Sequence, residues 1–164
     1  MRILGLDPGT ATTGFGVIEV IDDEFKLLDF GCITTKAHIA LSSRLKQIAE
    51  DLVSIIKLWK PDCIAIEELF FSKNVKTAIH VAHARGAIME NLAQRAYEIH
   101  EYKPQEIKET VCGYGKADKS QVQKMVQLLL QMEELPRPDD AADALATAIC
   151  HAQHLKTKKL FALT

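Results

Sequence analysis

Three strand-like runs open the chain: residues 2 to 7, 13 to 20 and 25 to 34, separated only by short turns. Connections that short cannot carry a crossover, so the three runs must pair as an antiparallel meander. The second run reads Thr13-Gly14-Phe15-Gly16-Val17-Ile18, and the turn into the third contains Asp22-Asp23. The pattern then changes period. From Ser42, a plausible N-cap, Leu45, Ile48, Ala49, Leu52, Val53, Ile56 and Trp59 recur at helical spacing until Pro61 stops them.

A strand at 62 to 67 follows, then an Ala- and Gly-rich helix from about 75 to 96 and a short strand at 97 to 102. Pro104 starts another helix, Gly113-Tyr114-Gly115 breaks the chain, and Asp118 with Gln121 forms a capping-box-like start to a helix through Leu130. The last helix is expected from near Pro138 to about Leu155, with Lys156, Lys158 and Lys159 in a short basic tail. A meander followed by strands alternating with helices implies an α/β fold, a mixed five-stranded sheet with helices on its faces. No repeat or Pro/Gly/Ser linker divides the 164 residues, so residues 1–164 read as one domain.

Composition narrows the function classes. A hydrophobic fraction of 48% with 26% charged residues belongs to a soluble globular chain. No apolar stretch approaches the ~20 residues needed to span a bilayer. Met1-Arg2-Ile3-Leu4 leads straight into a strand, which gives the expectation of a cytoplasmic protein with no membrane association. Cys32, Cys63, Cys112 and Cys150 are scattered without a CxxC pair and read as free thiols. The net charge of −2 excludes nucleic-acid binding by bulk charge, so any polyanion must meet local patches. Two segments offer them. One holds Lys73, Lys76 and Arg85 with His80 and His83; the other, residues 103 to 124, holds Lys103, Lys108, Lys116, Lys119 and Lys124.

Four acids occupy positions that folding would bring together. Asp7 closes Ile3-Leu4-Gly5-Leu6, Glu67 closes Cys63-Ile64-Ala65-Ile66, and Asp140 and Asp143 share a face near the start of the last helix. Taken singly, Asp7 before Pro8-Gly9 is also a good turn residue, and Asp140 favours a helix dipole. Asp143, set among Ala141, Ala142, Ala144, Leu145 and Ala146, resists so plain an account, because an acid there costs several kcal/mol unless neutralised. Gathered carboxylates with no histidine pair or nearby cysteine point to Mg²⁺, with Mn²⁺ as a substitute, rather than zinc. Two such ions beside a phosphate suit phosphodiester hydrolysis. His80, His83, His151 and His154 read as packing or surface residues.

Ile3-Leu4-Gly5-Leu6-Asp7-Pro8-Gly9-Thr10, Ala65-Ile66-Glu67-Glu68-Leu69-Phe70, the stretch Lys108 to Val122, and Asp140-Ala141-Ala142-Asp143-Ala144-Leu145-Ala146 occur in an order that resembles the RuvC family of crossover junction endodeoxyribonucleases. The resemblance covers essentially the whole chain. It implies an RNase H-like fold, a homodimer, and Mg²⁺-dependent symmetric nicking of four-way (Holliday) DNA junctions, in company with the branch-migration proteins RuvA and RuvB. It places Asp7, Glu67, Asp140 and Asp143 at the family's metal-binding positions, Lys108 and Lys119 beside the scissile phosphate and junction backbone, and Phe70 at the aromatic that stacks on bases near the crossover. Lys73, Lys76, Arg85 and Lys116 join them as expected DNA contacts, and the helix carrying Ala78, Ala82, Gly86 and Ala87 as the expected dimer seam.

Asp139, directly before Asp140, competes for the site, but Asp140 keeps the spacing to Asp143. Three rival readings weigh less. Asp7-Pro8-Gly9-Thr10 with Thr12, Thr13 and Gly14 also resembles the first phosphate loop of actin-like ATPases, which need a second lobe. An RNA or RNA–DNA substrate would use the same core chemistry. A catalytically dead binding module is disfavoured by the intact acid set.

Overall fold

The computed structural model describes residues 1–69 and 75–162, with the side chains of 75–77 excepted. Five strands form one sheet in the order β3-β2-β1-β4-β5. They are β1 (Arg2–Asp7), β2 (Thr12–Ile21), β3 (Glu24–Thr34), β4 (Cys63–Glu67) and β5 (Ile99–Tyr102). The β1–β2 and β2–β3 pairs are antiparallel, as their short connections require, while β1–β4 and β4–β5 are parallel. β1 is therefore the strand at which the sheet changes sense.

Alternation along the strands divides the core into two layers. Leu4 and Leu6 of β1 and Ile64 and Ile66 of β4 face α1 (Leu41–Trp59) and α2 (Val75–Gln94), meeting Ile48, Leu52, Ile88 and Leu92. Ile3, Cys63 and Ala65 face the opposite layer, built from α3 (Pro104–Cys112), α4 (Lys119–Leu129) and α5 (Asp139–Ala162). Asp7 and Glu67 continue the alternation of Ile3 and Cys63, so both acids belong to the face that α5 covers.

α5 lies flat on that face, and glycine lets it do so. A Cβ on Gly5 would fall onto the Ala144 carbonyl oxygen, and one on Gly14 onto that of Asp140. From Ala141 to Ala152 only Asp143 is not buried. Small side chains on both partners bring the helix axis close to the sheet.

Two expectations are corrected in detail. α1 is capped by Ala40 with no side-chain cap hydrogen bond, so Ser42 lies inside the first turn. α5 continues to Ala162 instead of ending near Leu155, because Lys156, Lys158, Lys159 and Leu160 are good helix formers with no intervening breaker. Lys156 also pairs with Asp23 of the β2–β3 turn at 3.4 Å. The expected cap at Asp118 is present in full. Its carboxylate accepts from the Gln121 backbone N–H at 2.9 Å, and the Asp118 N–H donates to Gln121 Oε1 at 2.8 Å. Pro104 occupies the first turn of α3, and Gly113 closes that helix at φ 84°. The four cysteines are free thiols. No helix among the described residues is long and apolar enough to cross a membrane.

Candidate active site

The site forms where the carboxyl ends of β1 and β4 meet the first turns of α5. β1 and β4 run in parallel register as far as Leu6 opposite Ile66, so the next residues, Asp7 and Glu67, emerge side by side. The loop after Asp7 is braced from within: Thr13 Oγ1 donates to the Gly9 carbonyl at 2.7 Å and accepts from the Gly9 N–H at 3.3 Å. Gly14, which pairs with Asp7 across the β1–β2 ladder, is the residue against which Asp140 rests.

All four acids are half-buried and electrostatically linked. Burial, then Glu67, Asp143 and Asp140 in turn, push the Asp7 carboxyl from its ordinary 3.8 up to about 8. Burial and Asp143 raise Glu67 from 4.5 to about 7, against the opposing pull of Lys108 and Lys119. Asp143 is raised as well, by burial and then by Asp140 and Asp139, with Lys119 and Lys108 again opposing. Like charges crowded into a half-dry site favour the protonated forms, and added positive charge would restore the carboxylates.

Two lysines border the group. Lys108 of α3 and Lys119 of α4 line a cavity of ≈180 Å³ together with Glu67, Asp143, Pro104, Ile107 and Val122. Lys119 Nζ lies 3.5 Å from Asp139 Oδ2 and 3.9 Å from Asp143 Oδ2. Burial alone would lower its pKa, but Asp143 and Asp139 outweigh that, and the ammonium is stabilised.

Asp139 and Asp140 have separate tasks. Asp139 accepts from Gln123 Nε2 at 2.8 Å on one oxygen and pairs with Lys119 on the other. Asp140 is the one that acts on Asp7. Among the described residues no three His, Cys, Asp or Glu side chains form a ready-made metal cage. The acids influence one another electrostatically without closing into a cage. That suits Mg²⁺ chemistry, in which one or two carboxylates bind the ion and water and substrate phosphate complete the shell. The four acids offer only oxygen donors, as a hard cation needs. Contrary to the expectation of no nearby cysteine, Cys32 of β3 adjoins them, but burial and then Asp140 push its thiol up to about 11, so it stays protonated.

Other expected contacts fall elsewhere. Lys116 is exposed on the α3–α4 loop. Arg85 forms an ion pair with Glu101 of β5, which ties α2 to the sheet. Phe70 and Lys73 lie outside the described residues, as does the side chain of Lys76. His151 is buried, its Nδ1 2.7 Å from the Tyr102 hydroxyl and its ring stacked 4.1 Å from that of His100. Burial, with His100 next, lowers its pKa to about 4, so it packs as a neutral ring. Sequence reasoning missed the close approach at Gly5 and Gly14. The signal was there, in glycines on two neighbouring strands facing an alanine-rich helix.

Comparison with known proteins agrees over the whole length. Residues 3–151 match the family model described as "Crossover junction endodeoxyribonuclease RuvC". The protein of that name from Desulforamulus reducens is 51% identical over 157 residues, covering 96% of each chain. Its counterpart from Chloroflexus aurantiacus is 51% identical over 164 residues, the full length of both. A solved structure of Thermus thermophilus RuvC in complex with a Holliday junction substrate superposes with a TM-score of 0.90 at 30% identity, covering 96% of each chain. The sheet order, the flat-lying α5 and these similarities lead to one assignment: this chain belongs to the RuvC family of crossover junction endodeoxyribonucleases, with its RNase H-like α/β fold.

Proposed function

We propose that the chain works in DNA recombination and repair as a homodimeric, Mg²⁺-dependent endonuclease that resolves four-way junctions by symmetric paired nicks. One observation carries the reading. Asp7, Glu67 and Asp143 hold raised pKa values because burial, and after it the negative charge of neighbouring acids, disfavours their anions at one strand-end site bordered by two lysines. Carboxylates so destabilised as anions suit a place where cations and a phosphate complete the charge balance.

Asp7, Glu67, Asp140 and Asp143 would hold the metal, with two ions proposed and Mn²⁺ able to replace Mg²⁺. Bound there, divalent ions supply the positive charge that activates a water and stabilises the leaving oxygen of a phosphodiester. The chain's own residues do the rest. Lys108 and Lys119 offset the negative charge of the scissile phosphate. Asp139 keeps Lys119 on the α5 side of the cavity. The capping box of α4 fixes the backbone from which Lys119 extends.

Lys116, Phe70, Lys73 and Lys76 are proposed as further DNA contacts. Arg85 joins them by exchanging Glu101 for a phosphate. The outer face of α2 is proposed as the dimer seam: Ala82 and Gly86 are exposed there, and a Cβ added at Gly86 would meet nothing within 4 Å. Two-fold pairing would present two identical sites to a two-fold substrate. RuvA and RuvB are the proposed branch-migration partners, in the bacterial cytoplasm.

The test compares an end-labelled four-way junction, a linear duplex and an RNA–DNA hybrid, each with Mg²⁺ and with chelator. Symmetric nicking of the junction alone, abolished by chelator, is expected. Preferential cutting of the hybrid would overturn the substrate assignment, and cutting in chelator the metal assignment.

A further inference from the structure

Arg137 lies in the link between α4 and α5, in Leu135-Pro136-Arg137-Pro138, where a proline on either side restricts the backbone. Pro136 is buried, and Gln123 of α4 donates Nε2 to the Pro136 carbonyl at 3.4 Å and to Asp139 Oδ1 at 2.8 Å. The chain is thus fastened to α4 on both sides of Arg137, yet the arginine itself is exposed. It makes no ion pair or side-chain hydrogen bond among the described residues.

Its surroundings make that freedom informative. Asp139, two residues on, borders the same cleft, and its carboxylate is engaged by Gln123 on one oxygen and by Lys119 on the other. Glu133 and Glu134 line the groove on the far side of Arg137, and neither pairs with it. On the near side, Arg137 borders an open cleft of ≈670 Å³ with Lys119, Gln123, Pro138, Asp139 and Asp140. Through Asp140 and Lys119 this cleft adjoins the acid group and the smaller lysine-lined cavity. A strand whose phosphate reaches the acids has to leave the site along its flanks, and this cleft is one of them.

We propose that Arg137 binds a backbone phosphate of the cleaved strand immediately beside the scissile one. This rests on the nuclease function proposed above. A guanidinium suits the task because it grips two phosphate oxygens at once and stays charged at any working pH. Lys119, held by two carboxylates, serves the scissile phosphate, and Arg137 serves its neighbour. Together they fix the strand at two points, which sets its direction through the site.

The test measures binding of a labelled four-way junction in chelator over a series of salt concentrations, for wild type, Arg137→Gln and Arg137→Lys. Arg137→Gln is expected to weaken binding roughly tenfold and to lower the slope of log affinity against log salt by about 0.9. Arg137→Lys is expected to keep the slope. A junction carrying an uncharged methylphosphonate at one linkage flanking the cut should cost wild type as much as Arg137→Gln does, and should cost Arg137→Gln nothing further. Salt slope and affinity unchanged in Arg137→Gln, while wild type binds and cuts the junction, would overturn the assignment. So would a lowered melting temperature in Arg137→Gln without a change of slope. Wild type that neither binds nor cuts the junction would instead defeat the nuclease reading itself.

Discussion

Replacing Asp7 with asparagine should make the metal-free protein more stable at alkaline pH. Asp7 titrates near 8 in the folded chain against 3.8 for an ordinary aspartate. Between those values the native state holds more protons than the unfolded chain, so stability falls as pH rises through that window. The stabilising effect of the protonated carboxyl is complete below the unfolded value and is lost as pH climbs to about 8. At ~1.36 kcal/mol per pH unit, the full displacement corresponds to on the order of 6 kcal/mol. Part of that is repulsion shared with Glu67 and Asp143, and water reaching a half-buried site lowers it further, which leaves about 2–3 kcal/mol.

Asparagine keeps the shape and removes the charge. For a chain of this length ~1 kcal/mol shifts the melting temperature by about 2–4 °C, so Asp7→Asn should melt about 4–12 °C above wild type near pH 8. Near pH 5 the gap should shrink to about a third of that, because Asp7 is then neutral in the folded chain and ionised only in the unfolded one; the two should melt alike only below the unfolded value. Thermal unfolding followed by calorimetry in chelator at both pH values reads this directly. Adding Mg²⁺ should then raise wild type more than the variant, since a metal that binds only the folded state stabilises it by mass action. A variant that melts at or below wild type near pH 8, or that gains equally at both pH values, would refute the account of Asp7 as a strained anion.

Two further outcomes follow from the contacts around α5. Asp139→Ala should release Lys119 and lower the single-turnover cleavage rate roughly fivefold; in a Lys119→Ala background it should have little further effect, and additive losses would show that Asp139 acts through some other group. Gly14→Ala, whose Cβ would collide with the Asp140 carbonyl, should destabilise the fold by about 1–3 kcal/mol and remove most cleavage activity by lifting the start of α5; chemical denaturation and junction cleavage check the two effects separately.

The elements most legible in the sequence were those with local signals. The three opening strands, the stop at Pro61, the Asp118–Gln121 box and the break at Gly113 all depend on neighbours a few residues apart. The acids were legible because strand alternation puts Asp7 and Glu67 on a shared face and helical spacing puts Asp140 with Asp143. What could not be read required contacts between distant segments. Spacing to Asp143 favours Asp140 over Asp139, but what Asp139 does instead, holding Gln123 and Lys119, depends on α4 and is not local. Arg85 resembled a surface cation until β5 brought Glu101 to it. Ser42 had the chemistry of a cap, yet the cap falls two residues earlier, at Ala40, which makes no side-chain cap hydrogen bond. α5 outlasted its expected end because the lysines counted as a tail favour helix as much as solvent.

α5 is at once the spine of one core layer and the carrier of two of the four acids, and that double duty limits how the protein can accommodate its substrate. A helix clamped over glycines along β1 and β2 cannot tilt to meet an incoming strand without unpacking the interior it supports. On the proposed function, the distortion that brings a phosphate into register must therefore be borne by the nucleic acid. Selectivity would then come from how cheaply a DNA structure deforms, which favours a branch point over an uninterrupted duplex.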